Sequence, residues 1–205
     1  MGYGAEVLLD HQAGLDMLSA ARARGFSLIE LVVTLSVFGV LLMTAVPALG
    51  SWVAGAQVRT VADGIQNGLR LAQVEAARRN RRVQFVLTDS DPLGSGPWTP
   101  SSTGRNWVIL TVPVTTMIDP ETGVAEVAQR VQGATLANVA AGVSLQGPAT
   151  LSFNAFGMLS GATGASTYQV SLSTAEHPLN VTVSIGGQIR LCDSSKRIAD
   201  SPEGC

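Results

Sequence analysis

Arg24-Gly25-Phe26-Ser27-Leu28-Ile29-Glu30-Leu31, continued as VVTLSVFGVLLMTAVP from Val32 to Pro47, is the stretch on which the fold turns. From Leu31 to Val58 the chain carries 28 consecutive residues without a charge. About 20 helical residues, at roughly 1.5 Å each, cross a bilayer core of about 30 Å, so the run is long enough to span. Arg22 and Arg24 stand just before it and the next cation is Arg59. The positive-inside tendency therefore puts the N-terminus in the cytoplasm and the bulk of the chain on the far side. Hydropathy alone leaves a cleaved secretory signal open as the alternative to an anchor. Two features count against the signal. The run exceeds the roughly 7–15 residues of a signal core, and Glu30 stands within the apolar stretch, where a carboxylate snorkels to the interface or needs a partner or a function.

Outward from this segment, 205 residues with 46% hydrophobic content make room for one globular domain beside an anchor. The 13 basic and 15 acidic side chains nearly cancel, which excludes a global electrostatic pull toward nucleic acid and leaves only a local patch to provide one. Past Pro47, residues Val58, Val61, Ile65, Leu69, Ala72 and Ala76 recur at steps of three and four, the stripe of an amphipathic helix. One rod from Leu28 to about Arg79 is expected, roughly 78 Å long if uninterrupted. Gly50, Gly55, Gly64 and Gly68 weaken it locally, each by up to ~1 kcal/mol. The run Arg78-Arg79-Asn80-Arg81-Arg82 reads two ways, as a patch for an acidic partner or as favourable charge at a helix C-terminus with Asn80 as the left-handed cap.

Short strands follow at Val83–Leu87, Trp107–Val114, Ala149–Phe153, Ser166–Ser173, Asn180–Ile185 and Gln188–Leu191, with a long loop from Asp89 to Asn106 and a tight turn at Gly186-Gly187. The fold class is α+β. A long N-terminal helix, with a transmembrane half and an amphipathic half, packs against a C-terminal antiparallel sheet domain of one sheet or two small ones. Cys192 and Cys205 both fall in the tail, where an oxidising compartment favours a disulfide over a redox pair, their spacing being far from CxxC.

Residues Arg24 to Leu31 resemble, position for position, the prepilin motif of type IV pilins and pseudopilins, and the expected fold is pilin-like. The resemblance implies cleavage between Gly25 and Phe26 by a prepilin peptidase, N-methylation of Phe26, and pairing of Glu30 with the terminal amine of a neighbouring subunit during assembly. A bare glycine leaves the scissile backbone open to close approach. Pro47 falls where many family members carry a helix-kinking proline. The implied division is a leader at 1–25, a membrane helix at 26–49, its amphipathic continuation at 50–80 and a periplasmic β-rich domain at 81–205. The leader is long and carries Glu6, Asp10 and Asp16; a start at Met17 leaves the short basic leader usual in the family.

Leu151-Ser152-Phe153-Asn154 through Gly157, and Val181 through Cys192, resemble the C-terminal signature of the GspH/FimT branch, which holds the minor pseudopilin H of type II secretion and minor pilins of type IV pili. Some pilus-side members bind DNA through Gly-Arg-x-Arg in the last hairpin. Here the sequence is Gly187-Gln188-Ile189-Arg190, so Arg190 alone carries over, with Lys196 and Arg197 nearby; it contacts phosphate or simply caps an exposed strand.

No catalytic constellation emerges. His11 and His177 have no motif neighbours, and phosphate-cradle, nucleophile-elbow and zinc signatures are missing, so no cofactor or metal is expected. The expected function is a non-enzymatic minor subunit of a secretion pseudopilus or type IV pilus, seated in the inner membrane. Its implied partners are the peptidase, other pilins or pseudopilins, the inner-membrane assembly platform and membrane lipid. A DNA-binding minor pilin is the alternative.

Overall fold

The computed structural model describes residues 25–113, 123, 126–136 and 142–205, apart from the side chains at 44–48. The leader up to Arg24, with Met17, and the side chain of the expected kink residue Pro47 lie outside the described residues. Two compact units divide the chain, Met1–Val46 and Pro47–Cys205.

Helix α1 spans Leu28–Arg79, 52 residues, the bounds that the apolar run and the stripe predict. In the second unit all six stripe residues from Val58 to Ala76 are buried, because the sheets close over that face. Burying a full Val, Leu or Ile side chain contributes about 1.5–3 kcal/mol, so the stripe supplies the helix with stability that its glycine-containing sequence lacks by itself. Asn80 ends the helix in the left-handed region, with φ 48°. The Asn80 amide donates to Ala77 O (3.2 Å) and the Arg81 amide to Ala76 O (3.2 Å), the paired bonds of a Schellman cap.

Among the described residues eight antiparallel strands follow: β1 Val83–Thr88, β2 Asn106–Thr111, β3 Arg130–Thr135, β4 Ser144–Gln146, β5 Thr150–Phe153, β6 Ser166–Ser171, β7 Leu179–Val183 and β8 Ile189–Asp193. They form two four-stranded sheets, ordered β3-β2-β1-β5 and β4-β6-β7-β8. In the first sheet Phe85 lies opposite both Ile109 and Leu151, and Leu87 opposite Trp107, so alternate residues of three strands share the core face. Val86 and Val108 pair on the other face and are buried as well. The loop between β1 and β2 lies over that side, where Arg130 Nη1 donates to Pro92 O (3.1 Å). Tyr168, Val170, Val181 and Val183 supply the core face of the second sheet. Phe85 joins the sheets, stacked on Trp107 at 5.6 Å and edge-on to Tyr168 at 5.8 Å.

Three expectations need correction. Strands β3 and β4 were not foreseen; β3 holds only one buried-type aliphatic, Val131, beside Gly133, and β4 is three residues long. Gly64 and Gly68 are contact points more than weak points. A Cβ at Gly64 would come within 2.8 Å of Leu136 Cδ2, and one at Gly68 within 2.8 Å of Phe85 Cε2 and 3.0 Å of Trp107 Cε2. The sheets approach the helix closely there because no side chain intervenes, whereas Gly50 and Gly55 face open space. Finally, the β7–β8 turn is centred on Ile185-Gly186, with the Gly187 amide donating to Ser184 O (2.9 Å). Gly187 follows at φ 87°, the position of a turn plus bulge where only glycine sits without strain.

Candidate functional site

Three places hold the residues singled out from the sequence. Where the described part of the first unit begins, Gly25, Phe26 and Ser27 precede the helix and are exposed, Phe26 at 80%. The junction between Gly25 and Phe26 is thus outside any hydrogen-bonded turn, and a Cβ at Gly25 would meet nothing within 4 Å. The helix starts two residues later, and Glu30 lies exposed in its first turn, where the unpaired amides favour a carboxylate. Leu28, Ile29, Leu31, Val32, Val33, Leu35, Val37 and Phe38 are exposed too, so this unit presents apolar side chains outward. The polar exceptions satisfy themselves: Thr34 Oγ1 donates to Leu31 O (2.9 Å) and Ser36 Oγ to Val32 O (2.8 Å). Among the described residues no helix is long and apolar enough to cross a membrane. The crossing expected at 26–49 includes residues 44–48, whose side chains are not described.

The second place is the basic run at the end of α1. Glu75 accepts from Arg78 Nη2 (2.8 Å) and Arg79 Nε (2.8 Å), and these bonds hold its carboxyl below the ordinary range. Arg81 Nη2 donates to Val112 O (2.9 Å) and Glu126 Oε2 (2.8 Å). Of the two readings, the geometry realises helix capping and local ion pairing. Arg82 is exposed.

The third place is the tail. Cys192 and Cys205 form a disulfide across 13 residues, with Cα atoms 5.2 Å apart. Arg190 Nη2 donates to both Pro202 O and Gly204 O at 2.9 Å, so its guanidinium fastens the last residues to β8. Lys196 Nζ reaches Glu203 Oε2 at 3.0 Å and Asp193 Oδ2 at 3.6 Å, and Arg197 Nε donates to Asp200 Oδ2 at 2.9 Å. The three candidate phosphate contacts are therefore brought together, each engaged by a carbonyl or carboxylate of the same tail. Burial pushes the Asp193 carboxyl up, but the Ser195 hydroxyl (2.6 Å) and amide (2.9 Å), with His177 and Lys196, outweigh this and hold it below its ordinary value. Asp193, His177 and Ser195 are not a catalytic triad. The serine hydroxyl donates to the aspartate, and a single ring nitrogen, His177 Nδ1, faces both Asp193 Oδ2 (3.2 Å) and Ser195 Oγ (3.4 Å), whereas in a triad the two ring nitrogens divide between the aspartate and the serine.

Sequence reasoning missed Gln73. Its Nε2 spends both protons on two distant carbonyls, Gly157 O and Gly187 O, each at 2.8 Å. A glutamine on a helix face carries no signal of such a role; only the two glycine-bearing turns, whose partners are far away in sequence, hint that something approaches closely.

A helix with an outward-facing apolar start, continued into a stripe buried under two antiparallel sheets, is the architecture of a pilin-type subunit. Residues 61–197 match the family described as Type II transport protein GspH, and the chain belongs to that family. Residues 20–46 match the prokaryotic N-terminal methylation motif. Among solved structures, the type IV minor pilin FimU of Pseudomonas aeruginosa is similar, with 18% identity and a TM-score of 0.50, covering 69% of this chain and 92% of that one. The minor pseudopilin EpsH from the type 2 secretion system of Vibrio cholerae is 15% identical with a TM-score of 0.42, covering 68% of this chain and 99% of that one. No curated protein matches. The FimU likeness establishes the pilin-like fold, and the family match establishes a minor pilin or pseudopilin type of chain.

Proposed function

We propose that this chain is a non-enzymatic minor subunit of a type II secretion pseudopilus or type IV pilus, held first in the inner membrane with its sheet domain in the periplasm. Prepilin peptidase cleaves between Gly25 and Phe26, Phe26 is N-methylated, and Glu30 pairs with the terminal amine of a neighbour. The observation that carries this reading is the exposed Gly25–Phe26 junction at the mouth of α1, followed one turn later by Glu30 and then by apolar side chains that are exposed among the described residues. An outward apolar helix face suits lipid before assembly and other helices after it. A carboxylate among apolar neighbours suits a cation brought by a partner, because breaking such a pair leaves an uncompensated charge.

Pro47 is proposed as a flexure point for the anchor, since it removes one amide donor from the helix. DNA binding is the weaker reading, because Arg190, Lys196 and Arg197 already have partners in the tail. Glu30→Ala tests the assembly role: membrane insertion is retained, and recovery in sheared filaments drops by about tenfold or more, equivalent to at least ~1.4 kcal/mol. Undiminished incorporation would sink the pairing. Mass measurement of the filament-borne chain checks the processing, which is expected to leave Phe26 first and carrying one extra methyl group.

A further inference from the structure

Two turns of the sheet domain present large apolar side chains to solvent at one spot. In the turn after β5, Phe156 is 84% exposed and Met158 41%; in the β7–β8 turn, Ile185 is 52% exposed. The Leu159 amide donates to Ile185 O (3.0 Å), which ties the turns together. Neither 154–159 nor 183–189 contains a charged residue.

These tips are stiff. Asn154 Oδ1 accepts from the amides of Phe156 (2.9 Å) and Met158 (3.1 Å), while the Asn154 amide donates to Met158 O (2.9 Å). Gln73 bonds Gly157 O and Gly187 O from the helix behind. Both glycines are in the left-handed region, and a Cβ on Gly187 would collide with Gly157 O. A rigid apolar tip loses little freedom when it docks, so more of its burial appears as affinity. The backbone that carries Phe156 is thus well fixed, while its side chain lies exposed and serves no core.

We propose that Phe156, Met158 and Ile185 form a knob that seats in an apolar depression on a neighbouring pilin-type subunit of the same filament. Three side chains fall well short of the ~800 Å² per partner of a stable complex, so the knob holds only a partner already kept beside it. Subunits of one filament meet that condition, and a freely diffusing protein does not. The absence of charge in both turns argues against phosphate-bearing partners. Lipid is disfavoured by position, because Gln73 lies 15 residues beyond Val58, where the uncharged run ends, or about 22 Å along the helix.

This inference rests on the proposed assembly role, and the experiment separates the two. Full-length chain carrying p-benzoylphenylalanine at position 156 is irradiated in cells that build the filament, and Phe156→Ser is compared with wild type in sheared filaments. An adduct with a pilin-type subunit is expected, with recovery of Phe156→Ser reduced about tenfold at unchanged thermal unfolding of the domain. Adducts with lipid or DNA alone, no adduct, or equal recovery of Phe156→Ser and wild type would each overturn the knob. Absence of the wild-type chain from the filaments overturns the assembly reading and the knob's partner with it.

Discussion

Leu35 and Leu69 belong to the same helix, yet the first is exposed and the second has no solvent contact. The described helical residues of the first unit expose apolar side chains all round, whereas the second, from Val58 on, buries a stripe of them and leaves Arg59, Arg70 and Arg78 exposed. The difference teaches that hydrophobicity and burial are separate facts about a helix. A stripe tells where the chain itself will supply the cover; an unbroken apolar surface tells that something else will.

The sharpest way to break this comparison is paired truncation. Leu69→Ala is expected to cost about 2–5 kcal/mol of domain stability, while Leu35→Ala leaves it within about 0.5 kcal/mol; urea unfolding of the detergent-solubilised chain reads both. Equal losses would mean that the first unit finds internal cover after all. Gly68→Ala comes next. The added methyl meets Phe85 and Trp107, and although alanine is the better helix former, a loss of about 1–3 kcal/mol is expected. A gain in melting temperature would show that the aromatic rings give way.

Acid probes the second unit, where two carboxylates have shifted titration. Glu75 and Asp193 both titrate below their ordinary values of 4.5 and 3.8 in the folded chain. The unfolded chain binds these protons more tightly, so their stabilisation is present above about pH 4.5 and is lost as pH falls through the ordinary and then the folded values. Glu75→Gln is expected to flatten that decline by less than about 1 kcal/mol, since its partner Arg78 is largely exposed. An unchanged acid limb in a pH series of unfolding midpoints would count against the Glu75 cluster. The smallest effect is expected at Tyr168, whose hydroxyl is buried without a hydrogen-bond partner among the described residues and whose titration burial pushes up. Tyr168→Phe is expected to be neutral or stabilising by up to about 1 kcal/mol; a clear loss would reveal a partner for that oxygen.

Much of this architecture was legible because it is local. The α1 bounds, its buried stripe, the Asn80 cap and six of the strands follow from periodicity, capping and β-branched runs within short windows. The Cys192–Cys205 bond was expected from two tail cysteines placed on the oxidising side of the membrane. Hidden features depend on residues far apart in the chain. Strand β3 forms because β2 offers it an edge, not because Arg130-Val131-Gln132-Gly133 prefers to be extended. Gly64 and Gly68 looked like helix weaknesses until Leu136, Phe85 and Trp107 were seen to occupy the space their missing side chains leave. In the candidate site, the prepilin stretch was readable as a contiguous motif, but the engagement of Arg190 by Pro202 and Gly204 was not, since backbone carbonyls leave no trace in composition.

The Gln73 clamp has a consequence for how such a sequence can drift. Its amide is the one group of that length that donates twice, so glutamate at 73 would set an anion against two carbonyl oxygens, and asparagine would fall short of both. A side chain at 187 would in turn expel the amide as well as strike Gly157. Three positions separated by up to 114 residues therefore constrain one another. Divergence here proceeds by joint replacement or not at all, and a descendant that abandons the glutamine is free to lengthen both turns and carry a different tip.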